Sequence, residues 1–162
     1  MATVAIHAGL EVTSFGLRQL TGNLASANQE YSKGPTTRGF QVEEVAGANL
    51  TKTNKDFDDF RNGELTQIKS TTQVQTRDTL LKLIRTWAYD LGQTEEPYDL
   101  RCRDGSRQII NDSQVSSKNL LVVIPAEDLT FTQQSLIREL EAIEQADRVV
   151  IAIEAGEGLR GP

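Results

Sequence analysis

The stretch FDDFRNGELTQIKS, residues 57–70, reads as strand, turn, strand. Asn62-Gly63 is a favoured pair for a two-residue hairpin turn, where both central residues need positive φ. Phe57 and Phe60 are expected to make core contacts on the first strand. Folding such a hairpin brings its two ends side by side, so Asp58 comes near Lys69. Hard oxygen ligands hold a divalent cation that can activate water. A neighbouring lysine can orient that water or offset charge on a phosphate. The hairpin therefore has the parts for metal-dependent phosphodiester cleavage. The alternative is an ordinary charged hairpin, with Asp58 and Asp59 as polar edge residues and Lys69 guarding the edge.

Outward from the hairpin, the pattern alternates helices and strands. Upstream, residues 8–30 place Leu10, Val12, Phe15, Leu17, Leu20, Leu24 and Ala27 at helical spacing. SKGPTTRG then reads as a loop, and FQVEEVAGANL as a short helix ending near Gly47. Downstream, QTRDTLLKLIRTWAYDLG is an amphipathic helix, with Trp87 expected in the core and Gly92 as its stop. Residues 93–117 are polar, with an irregular or short β stretch around DLRCRDGSRQII. NLLVVIP and RVVIAIEA are continuous apolar runs, as expected of strands buried on both faces. Between them lies the helix LTFTQQSLIRELEAIEQA, with Thr130 and Gln133 as a capping box. That unit is long enough for a crossover between parallel strands. The fold class is α/β, a mixed central β-sheet flanked by helices.

The 162 residues suit a single domain. We divide them into an N-terminal helical region (1–38), a core (39–153) and a tail (154–162). No apolar run reaches the length of a membrane span, and no signal peptide is expected at MATVAIHAGLEV. An export address would then lie elsewhere, as in a larger parent chain. A single cysteine, Cys102, and a single histidine, His7, argue against a Cys/His zinc site or a Cys/His dyad. The net charge of -6 argues against a generic basic nucleic-acid binder. The charge is uneven: residues 1–91 hold ten basic and ten acidic residues, residues 92–162 seven and thirteen. The acidic half suits a basic partner or simply solubility.

The order of these motifs resembles the PD-(D/E)XK nuclease superfamily, with its restriction-endonuclease-like core. That family places a helical glutamate before an acid on one strand and an acid-x-lysine on the next. Here the matches are GFQVEEVAG, Asp58 in FDDF, and Gln67-Ile68-Lys69. Glutamine replaces the usual acid in the third motif, which lowers the charge at the metal and favours one bound ion over two. More narrowly, F-D-x-F-x-N-G-x-x-T-x-I-K-S followed by S-K-N-L-L-V-V-I-P is similar to the C-terminal endonuclease toxin domains of contact-dependent growth inhibition (CDI) proteins, over about residues 39–153.

The resemblance implies a metal-dependent nuclease toxin that cuts RNA, with tRNA favoured over DNA, in a target bacterium. A cognate immunity protein would neutralise it. The domain would be the C-terminal part of a secreted or surface parent, delivered into the target cytoplasm. Glu43, Asp58, Gln67 and Lys69 are the implied catalytic residues. Asp58, Glu43 and the Ile68 carbonyl are the implied ligands of a divalent metal, with Mg²⁺ first and Mn²⁺ or Zn²⁺ as alternatives. Glu44 and Asp59 remain open as substitutes for their neighbours. Ser70, Thr71, Thr72, Arg77, Lys82, Arg85, Arg101, Arg103 and Arg107 are candidates for phosphate contacts. A DNase of the same fold and a non-catalytic interaction domain with a degenerate nuclease core are the competing readings.

Overall fold

The computed structural model describes residues 15–25, 42–71, 76–125 and 133–156. Its helices are α1 (Phe15–Ala25), α2 (42–46), α3 (Arg77–Gly92) and α4 (Gln133–Asp147). Its strands are β1 (Asp59–Arg61), β2 (Glu64–Ser70), β3 (Tyr98–Arg101), β4 (Arg107–Ile110), β5 (Ser117–Pro125) and β6 (Val150–Gly156). The central sheet runs β1-β2-β5-β6. β1 pairs antiparallel with β2, whereas β2–β5 and β5–β6 are parallel. The sheet is therefore mixed, with α4 as the crossover between its last two strands.

β5 explains the layering. Leu120, Leu121, Val122, Val123 and Ile124 are each at most 1% exposed. Side chains alternate across a strand, so Leu120, Val122 and Ile124 join the core built with α3 and α4. Leu121 and Val123 join the second core, built with α1 and α2. A strand covered on both sides has no position for a polar alternation, and its sequence shows none.

The hairpin turn has the expected geometry, with Asn62 at φ 52° and Gly63 at φ 77°. Ser116 donates its N–H to the Gly63 carbonyl at 2.7 Å, which ties the turn to the entry of β5. β1 is the edge strand, and its outer side is covered by one side chain. The Asn49 amide donates to the Phe60 carbonyl and accepts the Phe60 N–H, both at 2.8 Å.

The short β stretch expected around DLRCRDGSRQII is a second, two-stranded antiparallel sheet, β3–β4. It joins the core through Leu50, which bridges Cys102, and through Phe57, whose ring meets Tyr98 edge-on at 5.6 Å. Trp87 is half-buried at the margin of the core, because the fully buried stripe of α3 is Leu80, Leu81, Ile84, Ala88 and Leu91. β6 continues through Gly156, so residues 154–156 belong to the sheet and not to a tail. Thr130 of the expected capping box and His7 lie outside the described residues, and Gln133 is the first residue of α4.

The ends of α3 and α4 come close together at Gly92. A Cβ built there would lie 2.5 Å from the Asp147 carbonyl oxygen, a backbone atom that cannot swing aside. Gly92→Ala should therefore force the helices apart and lower stability by about 1–3 kcal/mol, measurable by urea denaturation. Unchanged stability would mean that the helix ends are not held at this spacing.

Candidate active site

α2 is short, and its burial fixes its rotation. Val42 and Ala46, four residues apart, are both fully buried. Glu44 consequently faces solvent, while Glu43 is half-buried. Gly47 ends the helix at φ 79°, in the left-handed region that favours glycine. The Ala48 N–H then donates to the Glu43 carbonyl at 3.0 Å, turning the chain toward β1.

Asp58 lies just before β1. Its N–H donates to the Thr66 carbonyl at 2.8 Å, although Asp59 is the residue that stands opposite Thr66. Two consecutive residues thus address one residue of β2, the geometry of a β-bulge, which re-aims side chains. The simple alternation of Asp58 and Asp59 expected from sequence is broken there. The Asp58 carboxylate turns along the sheet edge and accepts the Ile68 N–H at 2.7 Å. A strand residue's N–H and C=O point to the same side, so the Ile68 carbonyl also faces this edge.

Asp59 has a different environment. It is fully buried, paired with Arg61 through both carboxylate oxygens, and accepts the Asn49 N–H. Arg61 also donates to the Gly47 carbonyl. Asp59 therefore ties α2, the 47–50 segment and β1 together.

Glu43 and Asp58 are hydrogen-bonded to each other through their side chains. Burial pushes the Glu43 carboxyl up to about 7, helped by the Asp58 charge and by the bond between them; Arg103 and Lys52 oppose the shift. Burial also raises Asp58, while the Ile68 N–H, the Glu43 bond, Lys69 and Arg103 hold it down. Two carboxylates held this close share either a proton or a cation.

Gln67 and Lys69 lie on one face of β2. The Gln67 Oε1 is buried and has no hydrogen-bond partner among the described residues. Among those residues no cluster of three or more His, Cys, Asp or Glu could hold a metal. The oxygen atoms that the expected site residues present are the two carboxylates, one unpartnered amide oxygen and the Ile68 carbonyl. An all-oxygen set with two formal charges fits Mg²⁺ or Mn²⁺ better than a softer ion.

The other expected contacts fare differently. Ser70 ends β2 half-buried, Thr71 is buried, and Thr72 lies outside the described residues. Arg77 forms ion pairs with Glu139 and Asp78, so it braces α3 against α4. Arg107 pairs with Asp99. Lys82, Arg85 and Arg101 are exposed. Lys52 was not expected near the site; nothing in TKTNKD distinguishes it from an ordinary loop lysine.

The sheet, its flanking helices and the edge site define a restriction-endonuclease-like domain. The sequence model of the CDI toxin restriction endonuclease-like domain matches residues 38–154, and the chain belongs to that family. Among solved structures, a chain of the CdiA-CT/CdiI toxin and immunity complex from Yersinia pseudotuberculosis has a similar fold. Its TM-score is 0.50 at 16% identity, covering 68% of this chain and 90% of that one. No curated protein matches the chain.

The site predicts a pH dependence. Folded, Glu43 keeps its proton up to about 7; unfolded, it loses it near 4.5. Between those values only the folded chain still holds the proton, so stability is full at low pH and falls as pH rises. The upward shift of Asp58 adds in the same direction. The thermal midpoint of metal-free protein should drop between about pH 5 and pH 8, and Glu43→Gln should remove most of that drop. A midpoint that rises over this range would contradict the shared proton. Asp59→Ala, which strands the Arg61 guanidinium, should cost about 3 kcal/mol by chemical denaturation. Asp58→Asn, which relieves carboxylate repulsion, should cost far less, and equal losses would remove the distinction drawn between the two aspartates.

Proposed function

We propose that the domain is a metal-dependent endonuclease that cuts RNA, with tRNA the favoured substrate, inside a target bacterium. The observation that carries this reading is the convergence of Glu43 and Asp58 beside Lys69 on the open edge of β2. Membership of the CDI toxin family supports it. The likeness to a chain of a toxin–immunity complex supports a cognate immunity protein as partner, and the toxin family supports a larger delivered parent.

A divalent cation, when bound, would lower the pKa of a water and offset phosphate charge. Glu43, Asp58, the Gln67 Oε1 and the Ile68 carbonyl would hold it, with Mg²⁺ first and Mn²⁺ or Zn²⁺ as alternatives. Binding would release the proton that Glu43 shares with Asp58, so affinity would climb with pH through about 7. Asp58 is oriented by the Ile68 N–H and cannot swing away without leaving that donor bare. Lys69, one residue on, supplies the positive charge that orients the attacking water or steadies the developing oxyanion. The non-catalytic reading draws on one observation, the amide at Gln67 where related sites carry an acid.

Purified domain incubated with total tRNA, and separately with plasmid DNA, should cleave RNA in Mg²⁺ and stop in EDTA. Asp58→Ala and Lys69→Ala should each lower the rate by about 10²-fold or more. Cleavage that persists in EDTA would sink the metal mechanism. Cutting confined to plasmid would make the domain a DNase, and inert protein under every metal would favour the interaction domain.

A further inference from the structure

One cation beside the site is held differently from the rest. Arg103 lies on the turn between β3 and β4, far from Glu43 and Asp58 in sequence. Its backbone N–H donates to the Asn49 carbonyl at 2.9 Å, and its Nε to the Leu50 carbonyl at 3.0 Å. Leu50 in turn donates its N–H to the Asp58 carbonyl at 3.1 Å. On the other side of the segment, Thr51 donates to the Arg101 carbonyl at 2.8 Å, completing the bridge between Leu50 and Cys102. The base of the Arg103 side chain is therefore pinned one residue from the backbone that carries Asp58.

A guanidinium has five N–H donors, and the Nε bond uses one. Among the described residues, the remaining four have no hydrogen-bond partner, and Arg103 forms no ion pair with either site carboxylate. Its charge nevertheless reaches both Glu43 and Asp58. A planar fork tethered through Nε and bonded to neither site carboxylate keeps its terminal nitrogens available to an anion that reaches the site. Arg77 and Arg107, by contrast, are committed to carboxylate partners.

We propose that Arg103 is a phosphate-clamping residue of the nuclease site, donating from its terminal guanidinium nitrogens to the scissile phosphate as negative charge grows there. This rests on the nuclease reading and deepens it, because it assigns to the β3–β4 turn a part in the chemistry. The fork is specific in kind. A lysine at 103 would bring charge without the two-pronged geometry or the Nε tether.

The test is single-turnover cleavage of saturating tRNA and plasmid DNA by the whole chain and its Arg103 variants. Arg103→Ala and Arg103→Gln should lower the rate constant by about 10²-fold. Arg103→Lys should recover only a small part of it, and guanidinium ion at non-denaturing concentration should restore activity to Arg103→Ala. Mn²⁺ binding, read by calorimetry without nucleic acid, should be unweakened in all three, since Arg103→Ala and Arg103→Gln remove a positive charge near the ligands and Arg103→Lys adds none. A residue that merely braced the turn would instead lower the thermal midpoint and weaken metal binding, with no response to guanidinium. Wild-type rates in a folded Arg103→Gln, while Asp58→Ala is inactive, would overturn the clamp and leave the nuclease standing. A wild-type chain that cuts neither nucleic acid with any metal would overturn both.

Discussion

The bond between the Asp58 carboxylate and the Ile68 N–H is the constraint on which the site depends. β1 is three residues long, and β2 is seven. Beyond the end of β1, the backbone of β2 would face the edge with an unanswered donor. The Asp58 side chain answers it and continues the pairing where the strand itself has stopped. That single substitution of side chain for main chain fixes the carboxylate at the sheet edge, beside the Ile68 carbonyl and Lys69. Glu43 then arrives from α2, whose rotation is set by Val42 and Ala46 on the opposite core.

Apolar spacing made most of the architecture legible. NLLVVIP and RVVIAIEA could only be strands covered on both faces, and the stripe in TLLKLIRTWAYDL could only be a helix. Asn62-Gly63 carried its own turn type, and Gly47 its own helix stop. These signals are local, because each depends on residues within a few positions. The choice between Asp58 and Asp59 was not legible in the same way. It turns on a bulge at Thr66 and on Arg61 finding Asp59, which require the register of a second strand. The β3–β4 sheet was legible only in part. YDLR alternates buried and exposed residues, but RQII, with Ile109 exposed, does not, so only the first strand carries a local signal.

Buried charge without alternation is also where the sequence misleads. Glu154 sits in an apolar strand and was grouped with the tail, yet it is only 2% exposed, and burial pushes its carboxyl up to about 8. Glu64, also buried, accepts the Gly16 N–H at 2.9 Å and an Asn119 amide hydrogen at 2.9 Å, anchoring the start of α1 to the sheet. Neither acid belongs to the edge site. The face toward α1 spends its polar groups on joining helix to sheet, whereas Gln67 and Lys69 alternate onto the other face. The division keeps an acidic chain from needing one large buried charge cluster.

The amide of Asn49 has a consequence outside catalysis. An edge strand offers other chains a row of unpaired donors and acceptors, and proteins that leave it open invite intermolecular pairing. Asn49 satisfies both backbone groups of Phe60, the central residue of β1. One side chain thus does the work of a neighbouring strand. It closes this border of the sheet to self-association.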